Sequence, residues 1–292
     1  MELKERSYKE MSMSEKILHS TVLIEIEFEN GMFGSGTGLF FNFAIKEDLN
    51  TSVPVVITNN HVIEGMKKGK FCITLSDEKG IPNFTRHEFI FFDKSSKWYP
   101  HPDPNIDLCA LPIASIFDQA IQQGIYPFFL PLDKSLLPSY EDINNLTAFE
   151  DILMVGYPRT IWDEKNNLPL LRRGVTATHP RFDFNGKSEF LIDIACFPGS
   201  SGSPVFLYNL GSYGGRGGGL IIGSRCKLLG ILHAGPMYSL EGKIEVKKIP
   251  TSYDLVVKTQ IPINLGYVIK SNKLEEFESF FQEKLLLELK FK

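Results

Sequence analysis

The chain has 292 residues, of which 43% are hydrophobic and 23% charged, the balance of a folded protein with one large or two small domains rather than a disordered one. Its formal charge of −4 and pI near 5.9 supply no positive field, so neither nucleic acid nor an anionic membrane is expected as a partner. The short basic runs, Lys67, Lys68 and Lys70, then Arg172 with Arg173, read as solvated faces.

Residues 1–19 form an N-terminal extension that mixes acidic and basic side chains and holds no apolar run of signal-peptide length. No segment reaches the ~20 apolar residues of a membrane span, so a cytoplasmic protein is expected. From residue 20 the pattern changes to short apolar segments separated by Gly, Pro, Asn and Asp, several with a period of two. In TVLIEIEFEN, Ile24, Ile26 and Phe28 share one face while Glu25, Glu27 and Glu29 share the other. Further strands are predicted at GTGLFFNF, VPVVITN, FCITLS, HEFIFF and DLCALPI, and after a proline-rich seam at DILMVGYP, GVTATH, EFLIDIAC, GSPVFLY, KLLGILHAG and LGYVIK. The expectation is an all-β protein of two antiparallel six-stranded barrels, residues 20–140 and 141–270, followed by a C-terminal helix.

That helix, residues 271–292, is read from Leu274, Phe277, Phe281 and Leu285 at helical spacing. It is expected to pack on the second barrel, with a partner-docking helix as the sharper alternative. The glycine-rich stretch 211–219 reads as a flexible hairpin loop and lacks the spacing of a phosphate-binding loop. Cys72, Cys109, Cys196 and Cys226 are far apart, form no C-x-x-C pair and lie mostly among apolar neighbours, the usage of buried free thiols in a reducing compartment. No ligand cluster such as H-E-x-x-H is present, so no metal and no cofactor is expected.

Acyl transfer to a serine needs a nucleophile, a base within reach, a group that orients the base, and donors facing the developing oxyanion. In FPGSSGSPVF, Ser201 sits in the tight Gly199-Ser200-Ser201-Gly202 turn between two apolar strands. There the Gly199 and Ser201 amides can point together as an oxyanion hole. VITNNHVI, IDLCALPI and PGSSGSPVF, in that order, resemble the trypsin-like (chymotrypsin-fold) serine peptidase family, and GSGTGLFF resembles its early barrel strand. The look is closest to bacterial trypsin-like and HtrA-type protease domains, where segments such as NLGYVI recur, and no PDZ module is expected here.

The resemblance implies a serine endopeptidase with His61 as general base, Asp107 as the group orienting it and Ser201 as nucleophile. Asp107 follows His61 by 46 residues and precedes Ser201 by 94, near the family's spacing, with Asp103 as a substitute for Asp107. The family commonly has Asp or Asn where this chain has Ser200, and Gly where it has Ser203. Ser200 removes the carboxylate used in zymogen activation, and Ser203 could shift the turn. By the same pattern Ala195 lies at the base of the primary specificity pocket, His233 sits on its wall strand, and Ala234 and Gly235 offer backbone groups to an extended peptide. An uncharged base favours small or medium apolar side chains before the scissile bond, with acidic ones as the runner-up. The expected partners are a peptide or protein substrate and a regulatory protein that restrains a protease inside a cell. The competing reading is a catalytically inactive trypsin-like domain acting as a peptide-binding or scaffold module.

Overall fold

The computed structural model describes residues 11–46, 51–158, 161–243 and 256–290, so positions 1–10 of the expected extension and 291–292 of the expected helix lie outside them. A short helix, α1 (Met13–Leu18), leads into β1 (Thr21–Phe28), β2 (Phe33–Lys46) and β3 (Thr51–Thr58), then the single turn α2 (Asn60–Ile63). The strands β4 (Met66–Ser76), β5 (Pro82–Asp93), β6 (Tyr99–Pro100) and β7 (Cys109–Pro112) follow, then α3 (Ala114–Gln122) and β8 (Pro127–Phe128). Period-two alternation does what it predicts in β1. Ile24 and Ile26 are buried, while across the register with β4 Glu25 meets Lys70 at 3.1 Å and Glu27 meets Lys68 at 2.9 Å and Lys67 at 3.2 Å. The first basic run is therefore the solvent face of β4, laced to an acidic neighbour.

After α4 (Tyr140–Asn145) come β9 (Asp151–Gly156), β10 (Leu170–Thr176), β11 (Glu189–Asp193), β12 (Pro204–Asn209), β13 (Ser212–Gly214), β14 (Leu220–Ile222), β15 (Arg225–Ala234), β16 (Met237–Lys243), β17 (Val256–Pro262) and β18 (Leu265–Lys270). Six of these close a barrel in the order β10-β11-β18-β15-β12-β9, filled by Ile152, Met154, Phe190, Ile192, Val205, Leu232 and Val268. The glycine-rich stretch becomes the β13–β14 hairpin, turned by Gly215 and Gly219, whose amide and carbonyl pair at 3.0 Å.

The N-terminal half departs from the expected six-stranded barrel. Its ladder has eight strands in the order β5-β4-β1-β2-β3-β7-β6 with β8 on β4, and among the described residues β5 and β6 are not paired. β6 is only two residues long and ends in Pro100, which has no amide to donate to a further strand. A cleft of about 850 Å³, lined by Phe92 and Asp93 from one edge and Tyr99 and Leu111 from the other, lies along that seam. The helix α3 was not anticipated. It packs Phe117 and Ala120 against Phe40, Val56, Leu111 and Phe92, and this Phe/Ala pair three residues apart is the signal that could have revealed it.

The C-terminal helix α5 (Lys273–Lys290) exists, but it does not pack simply on the barrel. Phe277 and Phe281 lie 6.0 and 5.6 Å from Phe43 of β2, and His101 Nε2 lies 2.9 Å from the Lys273 carbonyl. Together with Leu274 they join one core that runs from Phe41, Val55 and Ile57 of the sheet to Phe206, Leu228 and Ile269 of the barrel. The phenylalanine stripe is thus spent within the chain, which removes the reason for reading it as a docking face. Among the described residues no helix is long and apolar enough to cross a membrane. The four cysteines are free; Cys72, Cys109 and Cys196 are buried and Cys226 is half-buried. Burial pushes the thiols up, Cys72 to about 12 and Cys196 and Cys226 to about 11.

His19, just after α1, is 8% exposed and edge-on to Phe128 with ring centroids 5.1 Å apart. Burial pushes its pKa down from 6.5 to about 4, against an opposing pull from Glu15. A neutral, buried imidazole refuses a proton that the unfolded chain accepts, so stability present above pH 6.5 is lost as pH falls toward 4. The loss amounts to at most about 3 kcal/mol. The melting temperature of the wild type should fall more steeply over this window than that of His19→Leu, and equal slopes would remove His19 as the cause.

Candidate active site

Ser201 lies in the connection between β11 and β12. The turn is built from local hydrogen bonds, Ser200 N to Phe197 O and Ser203 N to Ser200 O, both 3.0 Å. It is pinned to β15 by Gly202 N to Leu232 O at 2.8 Å and Leu232 N to Ser203 O at 2.9 Å. Gly199 and Gly202 take φ of +88° and +86°, a region closed to most side chains. At Gly202 a Cβ would also collide with the Thr37 carbonyl and the Thr58 hydroxyl, so glycine is required twice over. Among the described residues, neither the Gly199 nor the Ser201 amide has an acceptor within the protein.

The turn is gripped from the other half of the molecule by Thr37 of β2, which is fully buried. Its amide donates to the Ser201 carbonyl at 2.8 Å. Its hydroxyl donates to the Gly199 carbonyl at 3.3 Å and accepts from the Tyr157 amide at 3.0 Å and the Ser203 hydroxyl at 3.3 Å. One donor and two acceptor positions are what a threonine hydroxyl has, and all are used. Ser203, suspected from sequence of shifting the turn, is buried in this junction. Room for it comes from Gly156 of β9, where any Cβ would strike the Ser203 and Thr37 hydroxyls.

His61 is carried by α2 at the end of β3, and Asp107 lies just before β7, the strand that pairs with β3. The pairing brings them together. His61 Nδ1 lies 2.6 Å from Asp107 Oδ2, the His61 amide donates to Asp107 Oδ1 at 3.2 Å, and His61 Nε2 lies 3.0 Å from Ser201 Oγ. Asn59, fully buried, donates from Nδ2 to the Asp107 carbonyl at 2.8 Å, and the Thr58 hydroxyl donates to the Thr37 carbonyl at 2.9 Å. Thr37, Thr58 and Asn59 were not singled out from sequence, although the last two stand inside VITNNHVI. Asp103, the substitute, is used locally. Its Oδ1 accepts from the Asn105 amide and side chain, both at 2.9 Å, and these bonds hold its carboxyl below the usual range.

Of the pocket candidates, Gly235 packs its bare Cα side toward Cys196, where a Cβ would be 3.2 Å from Cys196 Cβ. Ala234 pairs with Tyr267 after a register shift that leaves His233 between the paired residues of β15. The His233 imidazole is taken by Glu189, Nε2 to Oε2 at 2.9 Å. The Ala195 carbonyl accepts from Arg172 Nη1, and Arg172 Nη2 donates to Ser200 Oγ at 2.9 Å. Arg172 therefore does not belong to a solvated face, unlike its neighbour Arg173, which points out to Asp151 at 2.8 Å. Two adjacent strand residues face opposite ways, and sequence does not say which arginine turns in. Among the described residues no cluster of His, Cys, Asp and Glu could hold a metal ion.

A family model described as a trypsin-like peptidase domain matches residues 36–212. Similar solved structures include the HtrA-type protease AlgW with a tripeptide, at 15% identity and TM-score 0.49, covering 92% of this chain and 62% of that one. The chain thus spans less than two thirds of AlgW's length. The active form of the Rv3671c protease from M. tuberculosis has 15% identity, TM-score 0.40 and coverage of 90% and 80%. Tobacco etch virus protease with product has 14% identity, TM-score 0.45 and coverage of 79% and 73%. No curated protein matches the sequence.

If Gly156 and Ser203 share one small space, Gly156→Ala should destabilise the protein by roughly 1–3 kcal/mol through overpacking. Adding Ser203→Gly should recover much of that loss. A double-mutant cycle by denaturant unfolding reads the coupling, and additive effects would refute it.

Proposed function

Because the chain belongs to the family of trypsin-like peptidase domains, we propose that it is a serine endopeptidase working through Ser201, His61 and Asp107. The supporting observation is the continuous line from Asp107 Oδ2 to His61 Nδ1 at 2.6 Å and from His61 Nε2 to Ser201 Oγ at 3.0 Å. With Nδ1–H donated to the carboxylate, Nε2 is the free base that takes the Ser201 proton as Oγ attacks the scissile carbonyl. The His61 amide engages the second carboxylate oxygen, so both ends of the pair are oriented. The Gly199 and Ser201 amides would receive the oxyanion, each worth about 3 kcal/mol in comparable enzymes. His61 then gives its proton to the leaving amine, and water enters by the same route to free the acyl-enzyme.

In this reading the open N-terminal sheet stands for the first barrel of a chymotrypsin-like pair, residues 20–140, and 141–270 for the second, with the substrate in the seam. A peptide would lie as an added strand along Ala234 and Gly235, its side chain before the scissile bond directed at Ala195. The engagement of His233 by Glu189 argues against a histidine reader of acidic residues and supports small or medium apolar ones. A cytoplasmic site of action, and restraint by a regulatory protein, complete the proposal.

A fluorophosphonate probe should label the wild type and not Ser201→Ala. Absence of labelling in folded wild type would leave a peptide-binding module instead. Asp107→Asn should keep the fold and lower kcat about 10⁴-fold, because the wrong tautomer is held. Cleavage of a peptide library should favour small or medium apolar residues before the cut, and a preference for acidic ones would overturn the pocket assignment.

A further inference from the structure

We propose that Arg172 is a positioning residue that clamps the 195–201 segment from within, keeping the oxyanion-binding turn in its competent form. The inference rests on the serine-peptidase reading above. Arg172 lies on β10, which pairs with β11 through Val175↔Asp193 and Thr176↔Ile192. Gly174 lets the two strands close up where β11 ends, since a Cβ there would stand 2.5 Å from the Asp193 carbonyl and 2.9 Å from Ile194 Cβ. That approach carries Arg172 on to the next segment. Its Nη1 donates to the Ala195 carbonyl and its Nη2 to Ser200 Oγ, so one rigid guanidinium ties the two ends of a stretch that contains Pro198 and Gly199.

The stretch needs such a tie. Gly199 has weak intrinsic preference for its φ of +88°, and the internal bond Ser200 N to Phe197 O does not restrain the Ala195 end. The Gly199 amide, one proposed oxyanion donor, belongs to the Pro198–Gly199 peptide between the two tethered points. Arg172 supplies the restraint with both acceptors neutral, at a cost. Burial lowers its pKa despite the opposing effect of the nearby Cys196 thiol, and its Nε is buried without a partner among the described residues. A half-satisfied cation in the nucleophile's own loop is poor stabilisation and good positioning, because a planar fork fixes two acceptors at once where an ammonium would not. Ser200 thereby gains a role. It stands where the family commonly has an acidic or amide residue, and here its hydroxyl receives a positive group that the fold itself provides.

The test compares wild type, Arg172→Gln, Arg172→Lys, Arg172→Ala and Ser200→Ala on two peptide substrates, one with an apolar and one with an acidic residue before the cut, alongside thermal melts. Arg172→Gln should lower kcat about 100-fold, the scale of losing one oxyanion donor, with KM changed less than about threefold. Arg172→Lys should remain impaired, Ser200→Ala should fall in the same direction by a smaller factor, and added ethylguanidinium should partly restore Arg172→Ala. Folded Arg172→Gln or Arg172→Lys protein with wild-type kcat overturns the role. So does a loss confined to peptides with an acidic residue before the cut, which would make Arg172 a specificity residue. Should Arg172→Gln not fold, Arg172→Lys and Ser200→Ala carry the same comparison. Wild type that neither labels at Ser201 nor cleaves overturns the peptidase reading itself; an active wild type with an unaffected Arg172→Gln overturns only the clamp.

Discussion

The site depends on a junction between two halves of the chain, and that junction is centred on Thr37. Ser201 comes from the closed barrel and His61 and Asp107 from the N-terminal sheet, so the 3.0 Å approach of His61 Nε2 to Ser201 Oγ holds only if the halves keep one relative position. Thr37 reaches from β2 to the Ser201 and Gly199 carbonyls, the Tyr157 amide and the Ser203 hydroxyl. In a dry interior each such group left unpaired costs about 1–3 kcal/mol. Sliding one half against the other would strand several at once, which makes the arrangement stiff rather than soft.

Apolar packing reinforces the same boundary. The core that includes Phe41, Val55 and Ile57 on one side and Phe206, Leu228 and Ile231 on the other is continuous across it. The helix α5 closes the gap with Phe277 and Phe281, and α1 adds Ile17. Buried side chains of this size each contribute roughly 1.5–3 kcal/mol. The opposite edge of the N-terminal sheet, where β5 and β6 leave a cleft, joins this core through Tyr99, whose ring lies 5.4 Å from that of Phe281.

Polar groups within the barrel are handled in two contrasting ways. Arg225 pairs with Glu150 at 2.7 Å and with Asn209 Oδ1 at 2.9 Å, while Glu150 Oε1 accepts from the Thr147 amide at 2.6 Å. There charge meets charge and the network is well supplied, as a structural ion pair must be to offset its desolvation. Arg172 has neutral acceptors and a bare Nε. The contrast separates a group that holds the fold from one whose position matters to the turn it touches.

Much of this molecule was legible in its sequence, and the physical reason is locality. Short apolar segments bounded by turn residues, several of them with a period of two, placed β1 through β5, β7 and the six barrel strands, because an apolar run and its turn signals are written in neighbouring residues. VITNNHVI, IDLCALPI and FPGSSGSPVF pointed to His61, Asp107 and Ser201 through their resemblance to the trypsin-like peptidase family, which short-range motifs at strand ends and a glycine turn can carry. Tertiary structure decided what each face meets. Only the β9–β10 register, which sets Arg172 opposite the buried Met154 and Arg173 opposite Leu153, tells the two arginines apart, only the approach of β9 shows that Gly156 accommodates Ser203, and only the Pro100 edge and α3 show how the N-terminal sheet ends. The same holds for α5, whose helical spacing was plain but whose apolar stripe could be assigned to the seam between halves only once the distant strand β2 was in place. Periodicity names the surface to be buried, and long-range packing chooses the partner that buries it.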